Sequence, residues 1–247
     1  MAVWNPWHGC RKISPGCLNC YVYRRDAEFG KDASVIAKTA SFDLPVRRNR
    51  KGEYKLQPDG EPVYTCMTSD FFLKEADAWR PAAWEMIRQR PDLEFVIITK
   101  RILRFLECIP EDWGEGYEHV TVICTCEDQK RAEERLPTFL DAPIRHKKII
   151  HEPMLGPVNI SPWLKSDRIE QVICGGESGD EARICDYSWV LDSWRQCVEA
   201  DVSFHFKQTG ARFKKGGRLY HVQRKDQIEQ AARAEIDYVS TRNREFT

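Results

Sequence analysis

Two rhythms of apolar and polar positions run along the chain. From residue 62 onward, short apolar runs recur at PVYTCMT (62–68), LEFVIIT (93–99), HVTVICT (119–125), KKIIHE (147–152), EQVICG (170–175) and VSFHFK (202–207). They are rich in Val, Ile and Phe and bounded by turn or charged residues, which predicts buried strands. Helical spacing fills most of the gaps: AWRPAAWEMIRQR (78–90), RILRFLECI (101–109), EDQKRAEERLPTFL (127–140) and DYSWVLDSWRQCVEA (186–200). Pro81 fits a first helical turn, and Pro137 is expected to kink or end its helix. One turn of helix is expected around SPWLKS, and DQIEQAARAEIDYV (226–239) reads as a final helix.

Strand alternating with helix implies parallel strands joined by crossover helices. The fold class expected is α/β: a single (β/α) barrel or partial barrel, with a doubly wound open sheet as runner-up. The chain of 247 residues suits one such domain. Residues 1–60 would form a cysteine-cluster loop and polar insertion, 61–210 the β/α units, and 211–247 a basic loop and C-terminal helix.

In barrels the chemistry gathers at the C-terminal ends of the strands. Every predicted strand here ends in polar groups, and Lys100, Arg101, Glu152, Arg183, Lys207 and Gln208 are the candidate substrate contacts. Lys+Arg and Asp+Glu are 38 each, so net charge points to no particular partner. No apolar run approaches a membrane span, so no membrane partner is expected. The start MAVWNPWHGC lacks the basic and apolar regions of a signal peptide, so a cytoplasmic location is expected.

In a reducing compartment ten cysteines do not form a disulfide framework. Cys66, Cys124 and Cys174 lie in apolar runs and read as small core residues. The stretch WNPWHGCRKISPGCLNCY (4–21) is different, because Cys10, Cys17 and Cys20 crowd one short segment. Two ligand readings stand side by side. With His8 as a fourth ligand, the trio would complete a structural zinc site. Alone, three thiolates on a [4Fe–4S] cluster leave one iron open to bind and activate a ligand.

Three N-terminal cysteines, the last two spaced x2 and followed by an aromatic (Cys20-Tyr21), resemble the radical SAM enzymes. More closely, the chain resembles a phage- and bacteria-encoded family of three-cysteine-motif, radical-SAM-like proteins of unassigned function. The matching stretches are 4–21, TSDFF (68–72), ITKR (98–101), EDQKRAEERLP (127–137), KKIIHEPMLGP (147–157), GGESGDEAR (175–183) and FKQTGARF (206–213). The resemblance implies a [4Fe–4S] cluster on Cys10, Cys17 and Cys20, S-adenosylmethionine on the fourth iron, an external electron donor, and a 5′-deoxyadenosyl radical. It places Tyr21 near the adenine or cluster. It gives Gly175, Gly176 and Glu177 the role of the Gly-Gly-Glu element that holds the methionine amino group. Two departures are visible: the first gap is x6 rather than x3, and the Gly-Gly-Glu follows a late strand. The same glycines also suit a tight strand-to-helix turn.

Residues 205–225, HFKQTGARFKKGGRLYHVQRK, hold seven Lys/Arg, no Asp or Glu, and the aromatics Phe206, Phe213 and Tyr220. Cations neutralise phosphates and aromatic faces stack on bases, so a nucleic acid or nucleotide is the expected partner if this run is more than a solvated loop. RRNRK (47–51) would extend the surface, and Trp4 and Trp7 would either stack on a base or shield the cluster. The alternative from another class is a non-catalytic zinc module, His8 plus three cysteines, that binds nucleic acid through 205–225.

Overall fold

The structure, a computed structural model, describes residues 2–242. Its elements in chain order are β1 (Ala2–Trp4), β2 (Trp7–His8), α1 (Tyr21–Glu28), β3 (Ala37–Lys38), β4 (Val63–Thr65), α2 (Arg80–Arg88), β5 (Phe95–Thr99), α3 (Phe105–Cys108), β6 (Val120–Thr125) and α4 (Gln129–Asp141). There follow β7 (His146–His151), α5 (Ser161–Leu164), β8 (Gln171–Gly175), β9 (Cys185–Asp186), α6 (Tyr187–Glu199), β10 (Ser203–Gln208), β11 (Arg212–Lys215), β12 (Arg218–His221) and α7 (Gln227–Ala232). All six apolar runs contain a strand.

Seven strands form one sheet in the order β1-β4-β5-β6-β7-β8-β10. Neighbours pair in parallel where β1 meets β4, β4 meets β5, β7 meets β8 and β8 meets β10. The fold is mixed α/β, the partial form of the two barrels expected, with β1 and β10 as its outermost strands. No described helix is long and apolar enough to cross a membrane.

The described residues group into two compact units that alternate along the chain: 2–13, 22–123 and 141–146 in one; 14–21, 124–140 and 147–242 in the other. The first has an aromatic core. Trp4, Trp7, Phe71, Phe72, Phe95 and Phe105 are wholly buried. Phe71 meets Trp84 edge to face at 4.7 Å, and Phe72 meets Phe105 at 5.6 Å. Each such pair adds about 0.5–1.5 kcal/mol beyond its burial. Trp4 and Trp7 are therefore core side chains that present no face for a base to stack on. Trp4 Nε1 donates to Ser41 O and Phe42 O, and Trp7 Nε1 donates to Asp70 O.

The second unit packs Leu136, Phe139, Ile149, Val172, Val190 and Phe204 between its strands and helices. Asp186 caps α6, its carboxylate accepting from Ser188 N at 3.0 Å. Three expectations change. Helix α4 runs through Pro137 to Asp141 rather than kinking to an end there. The final helix stops at Ala232, because Tyr238 leaves it to bridge Phe204 on β10. Residues 212–221, expected as a loop, form the antiparallel hairpin β11–β12. The last five residues of the C-terminal segment, 243–247, lie outside the described residues.

Candidate functional site

The ten cysteines, none in a disulfide, separate by exposure. Cys10, Cys17 and Cys20 are partly exposed; Cys66, Cys108, Cys124, Cys126, Cys174, Cys185 and Cys197 are buried. Burial pushes the thiols of Cys66, Cys126 and Cys174 far up, and that of Cys185 to about 12. A buried neutral thiol is a poor ligand, since the thiolate is the form that binds metal.

In the first unit, Cys10 sits beside a buried cation. Cys10 N donates to Ala33 O at 2.8 Å, and Tyr23 Oη donates to Cys10 O at 2.5 Å, which fixes the backbone. Arg101 Nη1 lies 3.7 Å from Cys10 Sγ, and Arg101 Nη2 donates to Arg11 O at 2.6 Å. The guanidinium is held by the buried carboxylate of Asp70 at 3.3 Å. Asp70 also accepts from Thr99 Oγ1 at 2.8 Å and from Lys100 N at 3.0 Å. The guanidinium thus donates towards the Cys10 sulfur while Asp70 fixes its place. Of the two candidates after β5, Arg101 is thus built into this cluster, while Lys100 enters it through its backbone.

His8 is close to a different partner. Its Nε2 lies 2.7 Å from Asp26 Oδ2. A zinc-ligand role would have to use Nδ1, with Asp26 as the orienting carboxylate.

In the second unit, Pro15–Cys17 form a short 3-10 turn that carries Cys17 and leads to Cys20. Two carboxylates hold this turn. Glu127 is wholly buried; its Oε1 accepts from Gly16 N at 3.3 Å and its Oε2 from Arg135 Nη1 at 2.7 Å. Glu177 accepts at Oε2 from Arg183 N and Arg183 Nε, each at 2.9 Å, and from Asn19 Nδ2 at 3.1 Å. Its Oε1 accepts from Arg183 Nη2. Arg183 Nη1 then donates to Pro15 O at 2.9 Å, and Asn19 Nδ2 to Glu181 O at 2.6 Å. Burial raises the Glu177 carboxyl, but the hydrogen bonds from Arg183 and Asn19 outweigh it and leave its pKa below the ordinary value. Tyr21, 41% exposed, opens α1 directly after Cys20.

Close backbone packing requires glycine at 176, while at 175 a side chain would have to displace Glu152. A Cβ on Gly176 would lie 2.2 Å from Thr209 O, and one on Gly175 would lie 2.9 Å from Glu152 Oε1. Beside them Glu152 joins two other candidates: Lys207 Nζ donates to its Oε2 at 2.6 Å, and Gln208 Nε2 to its Oε1 at 2.7 Å. His151 is wholly buried, and that burial lowers its pKa and keeps it neutral.

The candidate residues thus fall into three groups: Cys10 with Arg101, the Cys17–Cys20 turn with Glu177 and Arg183, and Glu152 with Lys207 and Gln208. Among the described residues, no three His, Cys, Asp or Glu side chains are already gathered to hold a metal ion. Asn19 and Arg135 were not candidates on sequence, although both fix the turn. Asn19 lies inside the Cys-x2-Cys step, and that was the available signal.

Comparison with known proteins finds no match among curated proteins or solved structures. A family profile matches residues 1–239. The chain belongs to the family described as protein of unknown function DUF5131.

Proposed function

We propose that the chain is an iron–sulfur protein of the radical SAM type, with Cys10, Cys17 and Cys20 as the ligands of a [4Fe–4S] cluster and a nucleic acid or nucleotide as substrate. The observation that carries this is the division of the cysteines by exposure: the clustered trio is accessible and the other seven are buried. Three accessible thiols fit the donor chemistry of a cluster that keeps one iron open. Binding and ordering of ligand loops are coupled in metal sites, so the ligands need not be gathered beforehand. When bound on Cys10, Cys17 and Cys20, such a cluster would supply one-electron reduction of the S-adenosylmethionine sulfonium, with an external donor as the source of the electron.

The protein's own residues then have definite tasks. Arg101 donates towards Cys10 Sγ, and Asp70 holds Arg101 in place. Glu127, Glu177, Arg183 and Asn19 hold the turn that presents Cys17 and Cys20. Glu177 Oε2 takes three donors and Oε1 takes one. A carboxylate offers about four lone-pair sites, so Oε1 retains capacity for an amino group such as that of methionine.

The second reading, a zinc module using His8, draws on the His8–Asp26 contact, which has the form of a metal-orienting pair. Metal and acid-labile sulfide analysis of anaerobically purified protein tests both. Iron with matching sulfide, retained in His8→Ala, is expected. One zinc per chain without sulfide, lost in His8→Ala, would overturn the cluster.

A further inference from the structure

The β11–β12 hairpin carries two cations whose described contacts are aromatic rings rather than carboxylates. Lys215 Nζ lies 4.8 Å from the centre of the Tyr187 ring, and the Arg218 guanidinium 5.1 Å from that of Tyr220. Two other basic groups of the run pair with acids, Lys207 with Glu152 and Lys214 with Asp186, and Arg224 reaches Ser178 Oγ. Among the described residues, Lys215 and Arg218 have no ion pair.

The hairpin register explains the arrangement. Phe213 pairs with Tyr220, and Lys215 with Arg218. Residues directly opposite in an antiparallel pair share a face, and so do residues two apart on one strand. Two aromatics and two cations therefore stand on one face, roughly 7 Å apart along the strand. The Gly216–Gly217 turn, with φ of +58° and +77°, allows the tight reversal that sets this register.

Behind that face is a cavity of about 560 Å³, a size that suits a small-molecule ligand. The buried Phe206 and Phe213, the more exposed Tyr187 and Tyr220, Lys215 and the Asp226 carboxylate line it, and Arg218 stands opposite Lys215 in the hairpin. Tyr187 and Phe213 are 5.6 Å apart, and Phe206 and Phe213 6.0 Å. Flat aromatic walls beside unpaired cations match a flat base joined to a phosphate.

We infer that this cavity is a nucleotide-binding site, with the base against Tyr220 and Tyr187 and the phosphate at Lys215 and Arg218. The inference rests on the nucleic-acid part of the proposed function and not on the cluster. The nucleotide can come as a free monophosphate or as part of a single strand.

The test uses the full chain, a fluorescein-labelled ten-residue thymidine oligomer followed by anisotropy, and uridine monophosphate followed by calorimetry. Tyr220→Ala, at an exposed position, is expected to weaken the oligomer roughly tenfold. Lys215→Gln should weaken it and lower the slope against log salt by about one. Lys165→Gln, an exposed lysine outside both basic runs, should change neither. Monophosphate binding with the same Tyr220 dependence identifies a free nucleotide as ligand; oligomer binding alone identifies a strand. An oligomer bound with a steep salt slope but unaffected by Tyr220→Ala would overturn the cavity and leave only a basic surface. No binding of either probe would overturn the site and the nucleic-acid partner together, while iron content in the same preparation reports on the cluster separately.

Discussion

The thiols of residues 10–20 and the seven elsewhere are the same group in opposite settings. Cys174 and Cys197 sit in the packed second unit, where burial holds their protons on. Cys10 lies partly exposed beside a guanidinium, and Cys17 and Cys20 lie on a turn tied down by two carboxylates. The protein spends buried charge to hold short polar loops, while its strand cysteines cost it nothing but volume. A fold that needed ten small apolar residues would have no use for this difference.

The sharpest way to break the contrast is to exchange thiols for hydroxyls in each setting. Replacing Cys10, Cys17 and Cys20 together by Ser is expected to abolish iron and sulfide retention while the chain still unfolds cooperatively. Cys174→Ser should keep the iron and lose about 1–3 kcal/mol of stability, because it buries a hydroxyl. Iron assays and denaturant melts of both variants decide this, and full iron in the triple variant would end the assignment.

Next in size is the Glu127–Arg135 pair under the Cys17 turn, whose side chains are 0% and 4% exposed. Arg135→Ala removes the guanidinium from a wholly buried carboxylate and is expected to cost about 3–5 kcal/mol. A shift in the urea midpoint worth under about 1 kcal/mol would show that the pair does not support the turn.

A smaller effect is expected at Glu177. Removing the guanidinium in Arg183→Ala should cost about 1–3 kcal/mol. The Glu177 carboxyl titrates below its ordinary value in the folded chain. Its contribution is therefore complete above the unfolded carboxyl pKa of about 4.3 and is lost as pH falls through the lower folded value. Glu177→Gln should flatten the acid side of the stability–pH curve. An unchanged acid limb would remove Glu177 from the support of the turn.

The mildest probe alters no residue. Iodoacetamide on folded, metal-free protein should modify three thiols quickly, and mass mapping should place them at Cys10, Cys17 and Cys20; all ten should react after unfolding. Rapid labelling of Cys66 or Cys185 would show that exposure does not separate the two sets.

Much of the frame was legible because buried strands leave continuous apolar runs: LEFVIIT and HVTVICT each hold a strand, Phe95–Thr99 and Val120–Thr125. Strand Ala2–Trp4 was not legible, since three residues beside the cysteine segment carry no periodicity, and it is recognised only by pairing with Val63–Thr65. The β11–β12 hairpin was hidden by its polarity. All four residues of β12 are exposed, so no apolar alternation marks it, although Gly216–Gly217 was the turn signal. At the candidate site, the trio of cysteines was readable from spacing alone. Its supports were not, because Arg101 reaches Cys10 across 91 positions and Asn19 reaches Glu177 across 158. Local sequence cannot carry such pairings.

The central claim is that the accessible trio leaves one iron open. The measurement that tests it most directly is the electron paramagnetic resonance spectrum of anaerobically prepared, dithionite-reduced protein with and without S-adenosylmethionine. The account predicts a reduced [4Fe–4S] signal whose g-values shift when S-adenosylmethionine is added, absent from the triple Cys→Ser variant. A cluster signal indifferent to S-adenosylmethionine, or no cluster signal from protein that instead holds zinc, would contradict it.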